Sequence, residues 1–264
     1  MDNNNSIHDF DFSLICNYFS SLERQGPGSD DATLRALQFA DSITPRATVA
    51  DLGCGTGSSA LLIARQTGAH VIAVDAFADF LTKLERNADR LGVSDLVEPI
   101  VGDMAELPFE PQSLDAIWSE GAIYNIGYER GLRYWHQYLR PGGYVAVTDA
   151  VWFRENPPEE VRRFWNDAYD QIDTVPHKIE QMQAAGYEPV ATFRLSNECW
   201  TDNFYQPQHA VRQKFAQEHA DNPFALDFLK NQEHEESVYA KYSDYYGYAF
   251  FIGRKPASLA KNDV

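Results

Sequence analysis

Val49-Ala50-Asp51-Leu52-Gly53-Cys54-Gly55-Thr56-Gly57 sets a short apolar run against glycines at alternate positions. The run has the length and composition of a buried strand. Glycines at 53, 55 and 57 let the chain turn sharply and bring bare backbone against a ligand. Ser58 to Gln66 then reads as a helix, whose first N–H groups are free to bind. A dinucleotide fingerprint would place its third glycine one residue later. Asp51 also puts a carboxylate beside the loop, which repels pyrophosphate and attracts an ammonium group.

Outward from this stretch, apolar runs alternate with helical patterns. His70–Asp75, Val97–Val101, Leu114–Ser119 and Tyr144–Thr148 read as strands, and Ala76 to Leu91 and Tyr128 to Leu139 as helices. That alternation predicts an α/β fold with a doubly wound, mostly parallel sheet and helices on both faces. Two later strands, Tyr187–Leu195 and Tyr246–Arg254, would make the sheet seven-stranded, the last one antiparallel. Residues 1–45 read as a helical lid segment, residues 46–255 as the main domain and residues 256–264 as a tail. The lid's opening helix carries Phe10, Phe12, Leu14, Ile15, Tyr18 and Phe19. After a Gly-Pro-Gly loop, Ser29 or Asp30 caps a helix from Ala32 to Ser42 with Leu34, Leu37 and Phe39 as its apolar positions. Residues 196–243 read as an insertion before the last strand.

The chain has 264 residues, 22 Lys and Arg against 39 Asp and Glu, and a net charge of −17. That field disfavours a nucleic-acid partner. No apolar run approaches the ~20 residues that span a bilayer, so no membrane role is expected. Cys16, Cys54 and Cys199 are scattered and odd in number, which fits a reducing, cytoplasmic setting and no metal cluster.

Four candidate loops follow four successive strands: the glycine turn, Asp75, Gly102-Asp103-Met104, and Ser119-Glu120-Gly121-Ala122-Ile123-Tyr124-Asn125. Open α/β sheets bind ligands at this end of their strands. A carboxylate at Asp75 suits ribose hydroxyls, Asp103 an adenine amino group, and Met104 the face of the ring. Asp75 equally suits a helix cap and Asp103 a turn.

Together these motifs resemble the class I S-adenosylmethionine-dependent methyltransferases, over most of residues 46–150. The resemblance implies a Rossmann-like fold with S-adenosylmethionine as cofactor. It gives Asp51, Gly53, Gly55 and Gly57 to the methionine end, Asp75 to the ribose, Asp103 and Met104 to the adenine, and Glu120 to the substrate side. The Arg24-Gln25-Gly26-Pro27-Gly28-Ser29 stretch is similar to a loop of small bacterial methyltransferases, which implies that Arg24, Gly28 and Ser29 lie over the cofactor.

The expected reaction is methyl transfer to a small-molecule acceptor. Glu120 and Tyr124 are the first catalytic candidates, with His209 as a base; Asn125, Asp149, Trp152, Trp200, Asn203 and Tyr205 complete the acceptor candidates. Three alternatives stay open: a non-catalytic S-adenosylmethionine-binding regulator, a protein methyltransferase, and a nicotinamide-dependent oxidoreductase. Tyr239, Tyr242, Tyr245, Tyr246 and Tyr248 read as packing or as an interface patch suited to a homodimer, and Glu233-His234-Glu235-Glu236 as a solvated face.

Overall fold

Strands buried on both faces need apolar side chains at nearly every position, and those of this chain have them. A computed structural model describes residues 12–257 of the protein. β1 (Thr48–Leu52), β2 (His70–Asp75), β3 (Val97–Val101), β4 (Leu114–Ser119) and β5 (Leu139–Trp152) lie parallel, and β8 (Tyr246–Arg254) runs antiparallel between β5 and β7 (Glu188–Arg194). The order is β3-β2-β1-β4-β5-β8-β7. An eighth, two-residue strand, β6 (Asp173–Thr174), pairs with the far end of β5, so the expected count of seven is one short. β5 is also much longer than Tyr144–Thr148. It starts at Leu139, and its pairing with β4 shifts register between Leu114 and Ala116.

Alternate strand residues feed two cores. Val49, Ala146, Ala150, Phe250 and Ile252 point to one face, and Ala50, Leu52, Val145, Val147 and Phe251 to the other. The first face is covered by α2 (Asp30–Leu37), α3 (Ser58–Thr67), α4 (Ala78–Leu91), α6 (Glu159–Ala168) and part of the insertion; α5 (Tyr128–Trp135) and α7 (Val175–Ala184) cover the second. α2 is shorter than expected and buries Ala32, Thr33 and Ala36, while Phe39 is exposed. Small side chains on that face let α2 lie close to α3.

The insertion forms α8 (Glu198–Trp200), one π-helical turn over Thr201–Tyr205, α9 (Gln206–Glu218) and α10 (Pro223–Tyr242). Leu14, Tyr18 and Leu22 in and after α1 (Phe12–Ser20) pack on Phe215, Phe228 and Leu229 of the insertion. Tyr18 adds a hydrogen bond to Gln208 Oε1 at 2.9 Å. The amino-terminal helix and the insertion thus form one roof. Phe10, and the side chain of Phe12, lie outside the described residues.

Tyr239, Tyr242, Tyr246 and Tyr248 are all buried. They pack α10 against β8, and the fifth, Tyr245, is half-buried with Arg154 over its ring. Among the described residues no helix is long and apolar enough to cross a membrane.

Candidate functional site

The parallel register aligns the strand ends along one rim. Leu52 pairs with Val74, Asp51 with Trp118 and Asp75 with Val101. After β1 the chain turns at once, and Gly53 N–H and Cys54 N–H both donate to Val74 O, at 2.8 and 3.1 Å. Gly53 has φ +71°, and a Cβ there would meet Ala122 Cβ at 2.3 Å and Met104 Cε at 2.8 Å. The bare backbone therefore lets the loops after β3 and β4 close on the turn. Gly55 N–H donates to Asp75 Oδ2 at 2.8 Å. Gly57 serves packing: with φ +93°, its Cβ position falls 2.7 Å from Leu84 Cγ, so glycine is needed there to seat α3 on α4.

Asp75 is buried, and its Oδ1 accepts from Phe77 N–H at 3.0 Å. It therefore closes the Asx turn that leads into α4 and clasps the glycine loop; it does not cap the helix. A carboxylate has about four lone-pair sites, and these two bonds leave room for the paired hydroxyls of a ribose. Burial pushes the Asp75 carboxyl up, against the downward pull of the Phe77 and Gly55 amides. Met104 lies against Gly53, and its carbonyl accepts from Trp135 Nε1 at 3.0 Å. Asp103 is exposed, and its Oδ1 accepts from Ala105 N–H at 2.8 Å, the turn arrangement.

Two further carboxylates stand beside the glycine turn, each with one oxygen that accepts no hydrogen bond. Asp51 is wholly buried; its Oδ2 accepts from Ser59 Oγ at 2.6 Å, and its Oδ1 has no partner. Burial first, then the charges of Glu120 and Asp75, push it up to about 7 despite the Ser59 bond. Glu120 Oε1 accepts from Thr33 Oγ1 at 2.6 Å and Trp118 Nε1 at 2.8 Å. Its Oε2 has no hydrogen bond, and Arg24 Nη1 stands 3.6 Å away. Buried acceptors without donors are costly, and a positively charged amino group would satisfy them. The residues present fit an aminoacyl nucleoside at this rim.

The lid is stitched to the turn chiefly by Gln25. Its Oε1 accepts from Thr56 N–H at 2.9 Å and occupies the space a Cβ on Gly55 would need. Its Nε2 donates to Phe19 O, Leu22 O and Thr56 Oγ1. Thr56 and Ser58 hydroxyls bind Glu23 O, and Lys83 Nζ binds Ser20 O and Leu22 O. Ser29 caps α2 through Ala32 N–H. Gly28 lies against both charged groups: a Cβ there would fall 2.9 Å from Arg24 Nη1 and 3.4 Å from Glu120 Oε2. Asn203 Nδ2 and Cys199 O hold Gly28 from the insertion side. Arg24, Gly28, Ser29 and Glu120 are thus brought together over the turn.

Beyond the β4 loop the walls become aromatic. Tyr124 meets Tyr169 at 5.9 Å between rings, and Tyr248 lies against Gly121. Behind Tyr169 sits a buried ion pair, Lys178 Nζ to Asp149 Oδ2 at 2.6 Å, and the Tyr169 hydroxyl donates to the same oxygen at 3.0 Å. Lys178 Nζ also faces the Tyr128 ring at 4.5 Å. Burial pushes Asp149 up against the opposing charge of Lys178. Lys178→Met is expected to destabilise the fold by about 3–5 kcal/mol, the cost of leaving a buried charge unpaired; urea unfolding checks it. A loss below ~1 kcal/mol would show that the pair is not holding this wall.

Other candidates are elsewhere. Asn125 closes its own turn on Ala122 O. Trp152 packs edge-on to Tyr246. His209 joins none of these contacts: its imidazole is mostly exposed and meets Glu236 Oε1 at 2.7 Å. Of 233–236, Glu233 and His234 are exposed as a solvated face would have them, while Glu235 and Glu236 are held by other side chains. Glu236 is tied to Arg212 and His209, and Glu235, half-buried, accepts from the Tyr205 hydroxyl at 3.1 Å. Gln25, Thr33, Lys178 and Glu235 are the site residues that sequence reasoning missed. Lys178 and Glu235 left a trace: each sits one helical repeat before a buried residue, Met182 and Tyr239, on the inward face of its helix.

Comparison with known proteins bears on the fold. Residues 49–143 match the methyltransferase domain family. A sterol 24-C-methyltransferase of Gibberella zeae is 29% identical over 154 residues, covering 55% of this chain and 40% of that protein. The chain spans less than half the length of the first curated relatives it matches. Among solved structures, a SAM-dependent methyltransferase from Geobacter sulfurreducens, in complex with S-adenosyl-L-homocysteine, superimposes with TM-score 0.79 at 22% identity, over 91% of this chain and 97% of that one. The [4+2]-cyclase SpnF superimposes with TM-score 0.72 at 22% identity, over 94% of each chain. At these identities the likeness shows the fold.

Proposed function

We propose, from the premise that the chain has the class I S-adenosylmethionine-dependent methyltransferase fold with its methyltransferase domain at residues 49–143, that it transfers a methyl group from S-adenosylmethionine to a small-molecule acceptor. The observation that carries this reading is the clasp of Asp75 on Gly55 beside two buried carboxylate oxygens that accept no hydrogen bond, Asp51 Oδ1 and Glu120 Oε2. A nucleoside with a cationic aminoacyl arm matches that set.

S-adenosylmethionine supplies a methyl already activated on a positive sulfur. Asp75 would hold the ribose, Met104 the adenine face, and Asp51 and Glu120 the amino group. Arg24 and Gln25 close the lid on the turn, and the roof of α1, α9 and α10 limits water. Orienting an acceptor beneath such a lid can contribute ~7–11 kcal/mol to the rate. Tyr124, Tyr169 and Tyr248 wall the acceptor side. The small-molecule reading is supported by the curated relatives, a sterol and a demethylmenaquinone methyltransferase among them. The three free, buried cysteines suit a cytoplasmic setting.

The same fold carries the cyclase SpnF, so binding without methyl transfer is the second reading. Incubation with S-adenosylmethionine and a panel of amines, thiols, phenols and carboxylates separates them. Acceptor-dependent release of S-adenosylhomocysteine is the expected result. Tight cofactor binding with no release across the panel would favour the second reading.

A further inference from the structure

The lid loop is held by a short stretch of the insertion far from it in the chain. Gly28 N–H donates to Cys199 O at 3.3 Å, and Gly28 O accepts from Asn203 Nδ2 at 2.9 Å, so both polar groups of that residue are engaged. Cys199 Sγ meets Ser29 Oγ at 3.5 Å beside them. Asn203 sits in the π-helical turn, where Gln206 N–H reaches back to Thr201 O. Pro207 accounts for the widened turn, since it has no N–H to close an α-type bond on Asn203 O. Gln208 anchors the turn on both sides: its Nε2 donates to Phe204 O at 3.1 Å, and its Oε1 accepts from the Tyr18 hydroxyl of α1.

Gly28 borders the point where Arg24 Nη1 faces Glu120 Oε2 at 3.6 Å. Its placement therefore sets how the lid closes over the position assigned to the amino group. The lid also has room to lift. A cleft of about 870 Å³ separates it from α3, α4 and the insertion, lined by Glu23, Arg24, Ser29, Arg65, Arg90 and Asn203 among others. Asp51 and Asp75 do not line that cleft, so it lies apart from the rim. Asn203 is exposed, and among the described residues its side chain has one hydrogen-bond partner, Gly28 O. Replacing it removes that bond and little packing.

We propose that Asn203 is a positioning residue that latches the lid: its amide holds Gly28 against the π turn and so slows the escape of the nucleoside from the glycine loop. The proposal rests on the methyltransferase reading and adds to it a determinant of cofactor release. It assigns Asn203 to the lid and not to the acceptor side. A nucleoside beneath Arg24 and Gln25 leaves when the lid lifts, and lifting breaks the Asn203 bond. That bond is absent once the lid is open, so it acts on departure and not on arrival. An aspartate at 203 would keep the shape of the side chain and lose the donor, leaving two acceptors face to face at Gly28 O.

The test uses the full chain, with radiolabelled S-adenosylhomocysteine chased by unlabelled ligand. For Asn203→Ala the expected dissociation rate is about threefold to tenfold above the wild type, the worth of one neutral hydrogen bond. Asn203→Asp is expected to release the ligand at least as fast as the alanine variant. In both, the association rate should not fall and the urea midpoint without ligand should match the wild type. A role in packing alone would leave the aspartate variant at the wild-type rate. Wild-type dissociation in both variants, or a loss of affinity carried by slower association, overturns the latch and leaves the methyltransferase reading standing. Faster dissociation with a lowered urea midpoint in both variants also overturns it, in favour of a structural role. No binding of S-adenosylhomocysteine by folded wild-type protein overturns both.

Discussion

Asp75→Ala is expected to weaken S-adenosylhomocysteine binding between about tenfold and a hundredfold, with the fold retained. Hydrogen bonds to a charged group contribute about 1.5–3 kcal/mol, and 1.4 kcal/mol is tenfold in affinity. The loss has two sources. The ribose would lose its acceptor, and Gly55 N–H and Phe77 N–H would lose theirs, which loosens the turn itself. Asp75→Asn separates the two, because its amide oxygen can still take one backbone N–H. It is expected to bind more tightly than the alanine variant and less tightly than the wild type. Calorimetry reads both. An unchanged affinity in Asp75→Ala would place the ribose elsewhere.

The second large effect concerns protons. Asp51 is raised from its ordinary 3.8 to about 7 in the folded chain. The folded state therefore keeps a proton that the unfolded state releases between pH 4 and pH 7. Stability is highest below that window and falls as pH rises through it, by on the order of 4 kcal/mol from this group at 1.36 kcal/mol per unit. Asp51→Asn removes the dependence, so wild-type stability minus variant stability, read from urea curves, should fall from about pH 4.5 to about pH 7.5. Ligand binding reports the same group with the opposite sign. A cationic amino group beside Asp51 and Glu120 favours the carboxylate, so binding near pH 6 should release a proton and tighten as pH rises to 7. Calorimetry in two buffers of different ionisation heat measures that proton. Identical heats for wild type and Asp51→Asn would show that the amino group does not reach this carboxylate.

The strand–turn–helix at Val49–Gly57 and the carboxylates after successive strands were legible because each depends on local rules: apolar runs, glycine at positive φ, and an acid at a strand end. The parallel order and the antiparallel last strand followed from them. What stayed hidden depends on contacts between distant segments. Gln25 fills the space over Gly55 only because the roof docks α1 on α9 and α10. Thr33 reads as an ordinary polar residue of a short helix until Glu120 is placed against it. Lys178 and Glu235 broke the apolar pattern of their helices, but only the fold names their partners, Asp149 and Tyr205. His209 shows the converse: a histidine in an aromatic segment invited a catalytic reading, and the fold turns it to Glu236. The start of β5 was hidden by the Pro141-Gly142-Gly143 turn signal, which sits inside a continuous strand with a register shift.

A crystal structure of the chain grown with S-adenosylhomocysteine tests the central claim most directly. The account predicts ribose hydroxyls on the Asp75 carboxylate, the adenine against Met104, and the amino group at Asp51 and Glu120 beneath Arg24 and Gln25. Density for the nucleoside away from the Gly53–Gly57 turn, or an empty turn at saturating ligand, would contradict it.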